Sequence, residues 1–327
     1  MMHPKLALFA GEAPPRRLPV VDHYCGIEKL MRKSLQLQAG RGPVFDVTLD
    51  CEDGAAVGAE AEHIQLVCEL MASADNHHDR VGVRVHPIDH PAFEMELDTL
   101  ARASRAAAYL MLPKVESAQQ LHRGVAAVKA AWGARTPPPL QVLIETHGGL
   151  REVEAIAAQP EVESLSFGLM DFVSGHHGAI PRSAMTMEGQ FSHPLVRRAK
   201  LMISAAALGH GKVPSHCVVT ELKDKHRLQA AAGRAWREFG YLRMWSIHPD
   251  QIEPILEAFS PSAAEVDEAI EVLLAAQEAQ WAPIRHRDHL HDRASYRYFW
   301  SLLDQAHATG QPLPEVALSR FFTPGNR

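Results

Sequence analysis

The sequence predicts an α/β fold, a (β/α)8 TIM barrel followed by a C-terminal helical extension. Three observations carry the prediction. Short apolar or β-branched runs alternate with longer helical patterns as far as residue 258, the order that builds a parallel sheet covered by helices. Eight such units follow one another, which favours a closed barrel over an open sheet. Polar and charged residues recur at the ends of these runs, on the face where a barrel's βα loops converge into a site.

Taken in order, strands are expected at 5–10, 44–49, 81–85, 108–112, 140–144, 162–167, 216–219 and 242–247. Helical patterns fill 23–39, 59–74, 92–105, 117–132, 149–158, 191–209, 223–238 and 250–258. On this reading residues 12–42 form a thick insertion between the first two strands. Ser117 is placed to cap one helix, Gly240 to end another, and Pro249 to open the last. The three prolines at 137–139 give a stiff entry into the fifth strand. The loop from Gly168 to Gln190 is long and rich in Gly, His, Ser and Met, as lids and binding loops are. Past Ser262 the strand signal disappears. A helical pattern covers 263–281 and an aromatic, His/Arg/Asp-rich segment follows. The domains are therefore read as a barrel over 1–261 and an extension over 262–327. The extension has few apolar positions for a core of its own and is expected to pack on the barrel or on a neighbouring subunit.

The chain has 327 residues, with 33 Lys+Arg against 39 Asp+Glu and a net charge of -6. Without a long basic block, binding to nucleic acid through phosphate neutralisation is not expected. The first apolar run, Leu6 to Ala10, is too short for a signal-peptide core or a membrane span, so a cytoplasmic protein is expected. Four dispersed cysteines, Cys25, Cys51, Cys68 and Cys217, read as free thiols. Among the 20 histidines, the pairs His77-His78 and His176-His177 and the run His286, His289 and His291 lack zinc-type spacing and read as solvated loop residues.

The charges at the strand ends carry the chemistry. Asp50, Glu52 and Asp53 follow the second strand, Arg84 closes the third, Lys114 follows the fourth, Glu145 the fifth and Asp171 the sixth; Thr220, Glu221 and His248 follow the last two. Glu145 and Asp171 each end an apolar run. Two converging, partly desolvated carboxylates on adjacent strands suit Mg2+; the alternative is a pair neutralised by Lys114 and Arg84. Arg84 has the planar fork for a bidentate grip on a carboxylate or a developing enolate; it could equally pair with the Asp50/Glu52/Asp53 cluster. Lys114 reads evenly as a charge stabiliser of the site or as a structural partner of Glu145. Gly168 lets backbone approach a ligand closely or makes a tight turn.

Seven motifs occur in order: Leu49-Asp50-Cys51-Glu52-Asp53-Gly54-Ala55, Val83-Arg84-Val85, Leu112-Pro113-Lys114-Val115-Glu116, Ile144-Glu145-Thr146, Phe167-Gly168-Leu169-Met170-Asp171, Ile247-His248-Pro249-Asp250-Gln251-Ile252 and Phe259-Ser260-Pro261-Ser262. Together they resemble the CitE-like branch of the HpcH/HpaI aldolase family, which includes citrate lyase β subunits and malyl-CoA lyases. The resemblance implies a barrel of the phosphoenolpyruvate/pyruvate type, usually a homotrimer or hexamer, that makes or breaks a carbon–carbon bond beside a carbonyl. It implies Glu145 and Asp171 as Mg2+ ligands, the ion chelating a small 2-oxo or 2-hydroxy carboxylate. Gly168, Leu169 and Met170 would bind substrate, backbone N–H groups from Leu169 to Asp171 holding its carboxylate. Arg84 would stabilise the developing charge, oriented by Asp50, Glu52 and Asp53, with Lys114 beside them. The family's Arg-Ser pair on the first strand and its Lys and Ala-Arg after the acidic motif are replaced by Pro4-Lys5-Leu6 and Ala59-Glu60-Ala61-Glu62-His63. The substrate is thus expected either as a free acid or as a CoA thioester. The tail contains Asp288 and Asp292 but no match to the catalytic Asp that malyl-CoA lyases donate between subunits, and the general base stays unassigned. Alternatives are a malyl-type thioester hydrolase and a non-catalytic barrel subunit.

Overall fold

The computed structural model describes residues 2–9, 12 and 16–322. Eight parallel strands close into a barrel in sequence order: β1 Val21–Cys25, β2 Phe45–Asp50, β3 Val81–Arg84, β4 Leu110–Leu112, β5 Leu140–Ile144, β6 Val162–Phe167, β7 Val213–His216 and β8 Arg243–Ser246. β1 pairs with both β2 and β8, which shuts the sheet. The helices are α1 Pro4–Leu8, α2 Glu28–Arg41, α3 Glu60–Ala72, α4 Phe93–Arg102, α5 Ala118–Trp132, α6 His147–Arg151, α7 Val153–Ala157, α8 Leu169–Ser174, α9 Gly189–Ser192, α10 Pro194–Gly209, α11 Lys225–Phe239, α12 Ile252–Ala258, α13 Ala263–Glu278, α14 Arg293–Ala308 and α15 Glu315–Phe321. A hairpin, β9 Ile284–His286 and β10 His289–His291, joins α13 to α14. The three stop and start signals act as read: Ser117 accepts from the Gln120 N–H, Gly240 is left-handed after α11, and Pro249 opens a 3-10 turn.

The first strand is a correction. Residues 5–9 are not a strand, because Pro4 takes the first helical position and the His3 ring accepts the Lys5 N–H; Ala10 lies outside the described residues. Leu6 is exposed while Leu8 is buried, whereas a strand would place both on one face. The strand lies at Val21–Cys25, so residues 12–42 are no insertion; from Arg16 onward they include β1 and α2. The strand expected at 216–219 lies three residues earlier, at Val213–His216. The 149–158 and 191–209 helices each break into two.

β1 lacks an apolar signature because its inward positions are polar. Asp22 accepts from Thr48 Oγ1 at 2.5 Å and from the Tyr109 hydroxyl at 3.1 Å. Arg243, wholly buried, stands 2.7 Å from Asp46 and 3.3 Å from Asp22. Gly82 makes room for Tyr109, whose ring carbons a Cβ there would meet at about 2.1 Å. Met111, Leu143 and Trp245 form an apolar layer, with Tyr24 and Val218 packed against it.

By internal contacts the chain falls into two compact units, Arg16–Ile255 and a smaller one made of Met1–Pro15 with Leu256–Arg327. The smaller unit has a core, contrary to the sequence reading. Leu8 and Phe9 join Val266, Leu273, Tyr296, Trp300, Leu303 and Phe321 in one buried cluster. The Leu8 carbonyl accepts from Arg293 and Arg297, and the Met2 carbonyl from Gln277 and Trp281.

Candidate active site

A cavity of about 250 Å3 opens at the C-terminal ends of the strands. Tyr24 of β1, Arg84 of β3, Glu145 past β5, Gly168 to Asp171 past β6, Val218 past β7 and Trp245 of β8 line it, with Asp53 at its edge. Each charged residue is placed by the last inward position of a strand or the first turn beyond it.

Arg84 is buried and held in a fork. Asp50 accepts from its Nε at 2.6 Å and from Nη2 at 2.9 Å, and Glu52 stands 3.2 Å from Nη1. Asp50 also accepts the backbone N–H groups of Glu52 and Gly54, which saturates its oxygens and fixes the guanidinium plane. Burial opposes the charge on Arg84, but the bonds and field of Asp50 outweigh it and push its pKa up. Asp53 takes another partner. It and Glu52 surround the Lys114 ammonium, at 3.2 Å for Asp53.

Lys114 meets Glu145 through its backbone and not through its side chain. Its side chain turns to the acidic pair while its backbone N–H donates to Glu145 Oε1 at 2.8 Å. The residue sits at φ +51°, a left-handed conformation uncommon outside glycine. Glu145 is 2 % exposed. Burial, then repulsion from Asp171, pushes its pKa up to about 8. Gly168 is required where the two strands meet: a Cβ there would lie 2.2 Å from Glu145 Oε2. A buried carboxylate beside a second carboxylate needs either a proton or a cation. Mg2+ fits such a donor set, since it binds through one or two carboxylates and keeps other positions for water and substrate. Among the described residues no cluster of three or more His, Cys, Asp and Glu suits a metal.

The model of the HpcH/HpaI aldolase/citrate lyase family matches residues 42–249, the stretch that contains all of these groups except Tyr24. The chain belongs to this family. An L-malyl-CoA/β-methylmalyl-CoA lyase of Cereibacter sphaeroides (strain ATCC 17025) is 31 % identical over 248 residues, 72 % of this chain and 77 % of the relative. A solved citrate lyase from Burkholderia xenovorans LB400 is 54 % identical with a TM-score of 0.85, covering 98 % of this chain and all of that one. The CitE protein of Mycobacterium tuberculosis, solved with magnesium, acetoacetate and coenzyme A, shares the fold at 22 % identity and a TM-score of 0.69, over 89 % of this chain and 98 % of that one. HpcH/HpaI membership makes the chain a carbon–carbon lyase by class.

Within this family frame, two site residues escape the sequence reading. Tyr24 reaches both Asp50 and Arg84 through its hydroxyl, with the guanidinium 4.7 Å from its ring centre. Trp245 stacks on Tyr24 at 5.5 Å and 17°. Tyr24 was hidden by the misplaced first strand, and Trp245 reads as core. Other residues singled out do structural work. His248 accepts the Asp250 N–H, Asp292 caps α14, and Asp288 pairs with Arg285 at the hairpin turn. All four cysteines are free. Among the described residues no helix is long and apolar enough to cross a membrane.

Proposed function

We propose that the protein catalyses Mg2+-dependent cleavage or formation of a carbon–carbon bond in a small 2-oxo or 2-hydroxy carboxylate, taken free or as a CoA thioester. The observation that carries the reading is the buried Glu145 beside Asp171, facing the cavity that the fixed Arg84 fork also lines. A divalent ion held by Glu145 and Asp171 would neutralise them and polarise a chelated oxo acid. Arg84 places a permanent positive charge where an enolate oxygen develops, already oriented by Asp50 and so without reorganisation during the reaction. Tyr24 and Trp245 wall that side with aromatic surface, and Leu143 and Phe167 help to exclude water. Leu169 and Met170 follow Gly168 into the first turn of α8, where N–H groups lack helical acceptors and can meet a substrate carboxylate. The name of the malyl-CoA lyase relative favours a thioester substrate; the lack of Lys and Arg over residues 59–63 favours a free acid. The test is release of pyruvate, oxaloacetate or glyoxylate from hydroxy acids and from their CoA esters, with and without Mg2+. In parallel, Asp171→Ala is expected to abolish Mg2+ binding by calorimetry with the fold intact. Unchanged metal affinity removes Asp171 as a ligand, and turnover that ignores Mg2+ overturns the reading.

A further inference from the structure

A second cavity, of about 440 Å3, is lined by Met170, Arg182, Ser183, Met185, Thr220 and Glu221, among others. Met170 also lines the cavity described above and is 44 % exposed, so one flexible side chain is common to both. Arg182 opens the 3-10 turn Arg182–Met185 and is exposed. It has neither an ion pair nor a side-chain hydrogen bond among the described residues. Glu221 accepts the Met187 N–H at 3.2 Å and does not pair with Arg182.

The inner cavity leaves a longer substrate few directions. Towards the barrel axis the way is filled by Met111, Leu143 and Trp245. On the Lys114 side the ammonium is already matched by Glu52 and Asp53, and a further anion there meets their repulsion. Past Met170 the path opens on an unpaired guanidinium. An unbranched thioether can change rotamer to let a chain through.

We infer that the outer cavity is a subsite for the distal arm of an elongated substrate, an arm ending in a carboxylate that Arg182 grips, with Glu221 receiving any hydrogen-bond donor beside it. The inference rests on the oxo-acid reading of the inner cavity. Three probes separate the two: pyruvate, which fills the inner cavity alone; 2-oxohexanoate, which adds the chain; and 2-oxoadipate, which adds its terminal charge. Titrated calorimetrically into the Mg2+-loaded protein, 2-oxoadipate is expected to bind about tenfold tighter than 2-oxohexanoate, as a charge-assisted hydrogen bond confers. Arg182→Gln is expected to erase that difference and leave pyruvate affinity unchanged. Equal binding of the two six-carbon acids to the unaltered protein, or a preference that survives in Arg182→Gln, overturns the subsite while pyruvate binding still upholds the oxo-acid reading. An Arg182-dependent preference without pyruvate binding supports the subsite and overturns that reading; no binding of any probe overturns both.

Discussion

Arg84 shows how one side chain is committed by its neighbours. Its Nε and Nη2 face Asp50, Nη1 faces Glu52, and its plane is fixed before any substrate arrives. A lysine supplies one compact charge and cannot satisfy two carboxylates while facing the cavity. Arg84→Lys is expected to keep the fold by circular dichroism and to lose about 10²–10³ in kcat, the scale of losing one preorganised donor to a developing oxyanion. A variant as active as the parent would take Arg84 out of the chemistry. The spacing of Asp50, Arg84, Glu145 and Asp171 is legible in the sequence, because each follows an apolar run whose end fixes its place on the rim. The Lys114 backbone bond is not legible, since a left-handed backbone at a lysine leaves no trace in residue type.

At the scale of elements, α10 and β7 enclose a lysine with no acid to meet it. Lys200 is wholly buried; its Nζ donates to Gln190 Oε1 at 2.6 Å, lies 2.5 Å from His216 Nε2 and sits 4.0 Å over the Phe191 ring. Burial, helped by Arg234, lowers its pKa from 10.5 to about 8 despite the opposing pull of Cys217. The folded protein therefore releases this proton near pH 8 while the unfolded chain keeps it to about 10.5. Between those values the unfolded state binds more protons, so this group's contribution to stability rises with pH. Relative to Lys200→Met, the unaltered protein is expected to gain about 3 kcal/mol between pH 8 and pH 10.5, read from urea unfolding of both proteins. A constant difference across that range would show that the lysine is not held charged against burial. The elements were mostly legible by period and caps, and the failures share a cause. β1 turns Asp22 and Tyr24 inward, so its pattern is that of no ordinary core strand. Residues 5–8 belong to an apolar run that Pro4 and His3 convert to a helical turn.

For the whole molecule, the barrel could be counted from the sequence but the membership of the first residues could not. Contacts between residues near 8 and near 300 are not encoded in any local period, and Leu8 looks the same whether it completes a strand or a distant core. Leu8→Ala is expected to remove about 2–5 kcal/mol. Hydrogen exchange should report the loss chiefly in α13 and α14, whose buried faces share a cluster with Leu8. Protection lost evenly from β1 to β8 instead would contradict that assignment.

The smaller unit is discontinuous: Arg16–Ile255 lies in the chain between its two parts. During synthesis α1 leaves the ribosome long before Tyr296, Trp300 and Phe321, with which Leu8 and Phe9 share a buried cluster. Domains fold as units while synthesis proceeds from the N-terminus, so the larger unit has all of its residues while Leu8 and Phe9 still lack these partners. The two apolar residues must stay soluble through that delay. Closure of the second core therefore waits until synthesis has passed α15.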